Sequence, residues 1–188
     1  MSCAPSRCIL HPTNRPIRGI SPFPLCRYDR LMAVPAHTSR SGMAFVTVAT
    51  RDRRPIFQIS RLAELFIDTL LHYRTRGHFK LHAFLVMPER VHLLLSPLSH
   101  PLDQTIALIQ KGFAHSLGTT DTLWQQGFTA HAIRNLRDLE TIRTYLHQTP
   151  VRDHLAATPE LYPYSSAHRQ VQKIAPLPIT TLVSESAS

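Results

Sequence analysis

The stretch Phe84-Leu85-Val86-Met87-Pro88-Glu89-Arg90-Val91-His92-Leu93-Leu94-Leu95 decides how the chain is read. Two short, almost continuously apolar runs flank a polar break, a pattern that suits two strands buried on at least one face. Pro88 has no amide hydrogen and interrupts any helix or central ladder, so the break is a tight turn. An antiparallel hairpin of Phe79 to Met87 and Val91 to Ser96 is expected. Arg90 and His92 lie two positions apart, so on a strand they point the same way from stiff backbone.

Working outward, Ala44 to Thr50 is rich in β-branched residues and reads as a first strand, followed by the basic turn Arg51-Asp52-Arg53-Arg54-Pro55. Ser60 is expected to cap a helix with Leu62, Leu65, Phe66, Thr69, Leu70 and Tyr73 on its apolar stripe and Gly77 as its stop. A second helix is expected from about Leu102 to Leu117, with Leu102, Ile106, Ile109, Phe113 and Leu117 on one face, Lys111 on another, and Gly118 at its end. Phe128 to Ile133 reads as a fourth strand. Asp138 is expected to cap a third helix, Leu139 to about Gln148, stopped by Pro150. The order β-α-β-β-α-β predicts an α+β fold of ferredoxin-like type: an antiparallel sheet with helices on one face, plus a C-terminal helix.

Residues 1–40 carry scattered prolines without periodicity and are expected to be disordered, residues 41–168 to form one domain, and 169–188 to be a loose tail. A chain of 188 residues, 43% of them hydrophobic, can bury a substantial core. The net charge of +9 and pI of about 10.2 favour a polyanionic partner such as nucleic acid. No run approaches the roughly 20 apolar residues of a membrane span, so no membrane partner is expected. Cys3, Cys8 and Cys26 offer neither a disulfide framework nor zinc spacing, and no signal-peptide pattern precedes them, so a cytoplasmic protein is expected.

The segment Met87-Pro88-Glu89-Arg90-Val91-His92-Leu93-Leu94-Leu95 resembles the MPNHVHLLL signature of the REP-associated tyrosine transposases, relatives of the single-tyrosine HUH transposases. Further marks follow in order: Arg53-Arg54-Pro55-Ile56-Phe57, Lys111, Leu123-Trp124-Gln125, and Ile133-Arg134-Asn135. Tyr145 to Val151 is similar to YIxxNPV, and Tyr162-Pro163-Tyr164-Ser165-Ser166 to YPYSS. The resemblance covers roughly Gly42 to His168 and implies that Tyr145 is the nucleophile that attacks a phosphodiester of single-stranded DNA. A free phenol, with a pKa near about 10, needs a positioned and polarised target to do so. In the family a divalent ion, Mg or Mn, held by two histidines and a polar residue one turn after the tyrosine, supplies that polarisation. The implied partner is single-stranded or hairpin DNA, bound by a monomer or homodimer.

The sequence departs from the family at the metal. Arg90 stands where the first histidine belongs and Thr149 where asparagine belongs, so only His92 remains of the ligand set. A guanidinium stays charged and has no lone pair for a metal, although it can grip a phosphate with two parallel hydrogen bonds. Cleavage is therefore expected to be weakened or lost, with Mg or Mn required only where activity persists. Nucleic-acid contacts are expected from Arg51, Arg53, Arg54, Arg90, Lys111 and Arg134. Three other readings stay open: an active transposase with a rearranged ligand set drawing on His131 or His147, a non-catalytic RNA- or DNA-binding module, and a decayed remnant. Plain structural roles also stay open for Tyr145 as a half-buried helix residue, His92 as a satisfied core histidine, and the arginines as solvated turn residues.

Overall fold

The computed structural model describes residues 42–119 and 123–168. The expected disordered extension and tail lie outside these residues. Four strands, β1 (Ala44–Ala49), β2 (Phe79–Met87), β3 (Arg90–Pro97) and β4 (Thr129–Ala132), form one antiparallel sheet in the order β2-β3-β1-β4. Three α-helices, α1 (Ser60–Thr75), α2 (Leu102–Ser116) and α3 (Leu136–Arg152), complete the ferredoxin-like α+β arrangement.

The hairpin turn consists of Pro88 and Glu89 alone, since Met87 pairs with Arg90. Two-residue hairpins usually require left-handed φ values, yet neither turn residue has one. Neighbouring chain holds the turn instead. Phe57 N donates to Pro88 O at 3.1 Å, while Thr50 N and Thr50 Oγ1 both donate to Glu89 O at 2.9 Å. The first basic turn is thereby fastened to the hairpin that carries Arg90 and His92.

Alternation along the strands sorts side chains into two faces. Val46, Val48, Phe84, Val86, Val91, Leu93 and Leu95 pack with Phe66 and Leu70 of α1 and Ile106, Ile109 and Phe113 of α2 in the main core. Within it Phe57, Phe66, Phe113 and Trp124 form a ring cluster with centroids 5.3–5.9 Å apart. The opposite face carries Phe45 and His92 and is covered by α3, whose Ile142, Tyr145 and Leu146 are buried. The outer edge of β2 is closed by the Tyr162 to Ser166 segment: Val86 N donates to Tyr164 O, Ser166 N to Phe84 O, and Tyr162 Oη to Val86 O.

Gly112 sits where α2 crosses α1, and a Cβ there would overlap the Tyr73 ring. Gly112→Ala is expected to lower stability by about 1–3 kcal/mol. Denaturant unfolding followed by the fluorescence of Trp124, the single tryptophan, measures it; an unchanged midpoint would mean that displacing the ring costs no more than the roughly 1 kcal/mol of helix propensity that alanine gains.

Three helix boundaries differ from the sequence expectation. Ser60 is the first residue of α1, and no side chain caps that helix. In α3 the cap is Asn135, whose Oδ1 accepts from Asp138 N at 2.8 Å, while Asp138 Oδ2 accepts from Arg134 N at 3.4 Å. Asp138 thus fills the reciprocal place three residues into the helix, close to a capping box. Nor does Pro150 stop α3. Its missing N–H forfeits one bond to Leu146 O, but Asp153 N still reaches Thr149 O, and Thr149 and Pro150 are buried, so packing outweighs local propensity.

Candidate functional site

His92 lies opposite Thr47 in the β1–β3 register, and the two side chains meet at 2.8 Å between Nδ1 and Oγ1. Phe45 stacks on the imidazole at 5.7 Å with planes 16° apart. The ring is buried, and among the described residues Nε2 has no hydrogen-bond partner, an omission that costs about 1–3 kcal/mol for a neutral group. Burial, reinforced by the positive charges of Arg90 and Arg152, pushes its pKa from 6.5 down to about 3. His92 is neutral near pH 7, the form in which an imidazole can accept a proton, donate one, or ligate a metal.

Tyr145 projects from α3 onto this site. Its ring is 8% exposed, stands edge-on to Phe45 at 6.1 Å, and lies 6.2 Å from the His92 ring. The Arg152 guanidinium sits 5.0 Å from the Tyr145 ring centroid, two helical turns along the same face. Arg90 Nη2 meets Asp153 Oδ2 at 3.4 Å, joining the start of β3 to the C-terminus of α3.

A divalent ion fits one of these residues and not the set. His92 Nε2 is an available nitrogen, but Arg90 contributes a fixed positive charge, and Thr149, whose hydroxyl donates back to Tyr145 O at 2.7 Å, offers at most one neutral oxygen, a weak ligand. Among the described residues no group of three His, Cys, Asp or Glu side chains comes together. His131 and His147, the candidates for a rearranged set, do not build one. His131 is exposed on the edge strand opposite Phe45, and His147 lies near Arg143 and Glu160, its pKa lowered chiefly by burial and by Arg143, against the pull of Glu160.

The basic candidates divide by position. Arg51, Arg53 and Arg54 are exposed at the end of β1 beside the hairpin turn, with Arg53 3.5 Å from Glu89 and Arg51 3.7 Å from Asp52. They share that end of the sheet with Arg90, which pairs with Ala49. Arg134 follows β4 at the opposite end, where Ile133 N donates to Met43 O. Lys111 is exposed on α2, across the sheet from Tyr145. Sequence reasoning missed Thr47, Phe45, Arg152 and Asp153. Only Arg152 had a legible clue, its place seven residues after Tyr145; the rest are site residues through strand register and helix docking. No helix among the described residues is long and apolar enough to cross a membrane.

No protein-family model matches the chain. A REP-associated tyrosine transposase of Escherichia coli (strain K12) is 26% identical over 136 residues, covering 71% of this chain and 81% of the relative. A Haemophilus influenzae protein described under the same family is 24% identical over 152 residues, covering 71% and 84%. A solved structure of a REP-associated tyrosine transposase bound to a REP hairpin matches with a TM-score of 0.61 at 25% identity, covering 82% of this chain and 94% of that one.

Proposed function

We infer that this chain, a relative in sequence and fold of the REP-associated tyrosine transposases, is a DNA-binding protein of transposase type whose tyrosine chemistry is weakened or lost. Its partner is single-stranded or hairpin DNA, engaged by the domain of residues 41–168 as a monomer or homodimer. Arg90 carries the reading. A guanidinium paired with Asp153 stands in the ligand position beside His92, so the residues of the site favour an anion over a divalent cation.

In this reading Tyr145 is the ancestral nucleophile and His92 the surviving ligand residue. Arg51, Arg53, Arg54 and Arg90 track the DNA backbone at one end of the sheet, with Lys111 and Arg134 as outlying contacts. Cleavage, where any persists, draws on Mg or Mn. The arginine contacts carry affinity without reading sequence, so binding is steeply salt-dependent.

The test uses purified protein and labelled single-stranded hairpin DNA. Six backbone contacts predict a loss of affinity on the order of 10³-fold between about 50 and 200 mM salt. With Mg or Mn present, wild type is expected to leave no more covalent adduct than Tyr145→Phe. A robust wild-type adduct that Tyr145→Phe abolishes would restore the active-transposase reading, and absence of binding at low salt would remove both.

A further inference from the structure

We propose that Arg90 and Arg152 form a phosphate site beside Tyr145, and that Asp153 fills it from within as a resident anion that an incoming phosphodiester displaces. The identity of the ligand rests on the DNA-binding reading above. The anion site itself rests on geometry.

Two guanidiniums from different elements meet at the end of α3 that follows the tyrosine. Arg90 begins β3 and is 21% exposed at its side chain; Arg152 ends α3, is exposed, and holds its charge 5.0 Å from the Tyr145 ring centroid. Arg90 reaches Asp153, the residue after Arg152, so both guanidiniums belong to the same end of α3. A planar guanidinium suits a phosphate better than an ammonium would, because it can offer two parallel N–H donors.

Asp153 is oddly placed for any role within its own helix. It is the C-terminal cap of α3, where the partial negative charge of the helix end disfavours a carboxylate, whereas Arg152 in the last turn is favoured there. Its charge is instead matched across the site by Arg90, at 3.4 Å. A carboxylate on a guanidinium presents the same paired oxygens that a phosphate would, so Asp153 keeps Arg90 aimed at the site and competes for it. With the side chains 21% and 35% exposed, the pair is weak enough for a DNA phosphate to break.

Wild type, Asp153→Asn, Arg90→Gln and Arg152→Gln are compared as full-length proteins with two probes. Inorganic sulfate is read as a rise in Tm against sodium chloride of equal ionic strength, and labelled hairpin DNA as a Kd over a salt series. The sulfate response should exceed that of both arginine variants in wild type and be largest in Asp153→Asn. Asp153→Asn should bind the hairpin about two- to fivefold more tightly, the size of a released surface ion pair. Arg152→Gln should lower the salt slope by about one.

An Asp153→Asn protein that folds and binds no more tightly than wild type overturns the resident anion, because a mere latch would weaken binding or leave it unchanged. If that variant does not fold, Arg152→Gln decides, since Arg152 is exposed: a wild-type sulfate response and a wild-type salt slope overturn the site. Variant-dependent sulfate responses without any hairpin binding would support the anion site and remove the DNA reading. Hairpin binding that is identical in all four proteins would do the reverse.

Discussion

Arg90→His combined with Thr149→Asn is expected to raise covalent attachment of Tyr145 to hairpin DNA in the presence of Mn well above the wild-type level. The physical case begins with charge. A unit positive charge about 4 Å from another costs about 4 kcal/mol at an effective dielectric constant of 20, and a divalent ion roughly doubles that. Replacing Arg90 removes this repulsion and leaves the Asp153 carboxylate, now unpaired from it, beside the site. The second substitution replaces a short hydroxyl turned back along its own helix to Tyr145 O with a longer side chain that carries an amide oxygen able to ligate. His92 Nε2 is already buried without a partner among the described residues. Denaturing gels with labelled DNA read the outcome, with Tyr145→Phe added as a third substitution to show that the link is to that residue. If the double variant binds DNA and still forms no Mn-dependent adduct, the assignment of positions 90, 92 and 149 to an ancestral ligand set fails.

The second large effect is loss of stability in acid, driven by His92. Its folded-state pKa of about 3 lies below the 6.5 of an unfolded chain, so the unfolded state binds the proton first. The stabilisation is therefore complete above about pH 6.5, falls as pH drops through that value, and is exhausted near pH 3. At about 1.4 kcal/mol per pH unit, roughly 2 kcal/mol is gone by about pH 5 and about 4–5 kcal/mol by pH 3. His92→Gln lacks this titration. Its stability, measured by denaturant unfolding between about pH 7 and pH 5, should decline less steeply than that of wild type, before most carboxylates begin to titrate. Parallel curves for the two proteins would show that His92 gains access to water or to a partner in solution.

The hairpin at Pro88 is legible from sequence because two apolar runs and a residue without an amide hydrogen leave few alternatives. The same holds for α1 and α2, whose apolar residues recur at helical spacing and whose ends fall near glycines with positive φ, Gly77 and Gly118. The ends of α3 are less legible. Asn135 and Asp138 are both capping residues at workable spacing, and only the folded geometry shows that Asn135 accepts the bond. Pro150 is a helix breaker by local rules, yet the burial of its neighbourhood carries the helix on to Arg152.

That extra stretch of α3 matters for the site. It carries Arg152 back over Tyr145 and brings Asp153 to Arg90, neither of which a helix ending at Gln148 would do. Sequence by itself determined the α+β class, the strand and helix order, the family resemblance, and the departure from the resembled motif at positions 90 and 149, because these follow from residue identity and spacing. Tertiary structure alone decided that His92 is neutral and buried against Thr47 and Phe45, that the basic candidates fall on separate parts of the molecule, and that Arg90 faces a carboxylate from another element. The physical reason is that burial and ion pairing depend on which distant segments share a volume, and strand register and helix docking set that only once the chain has folded.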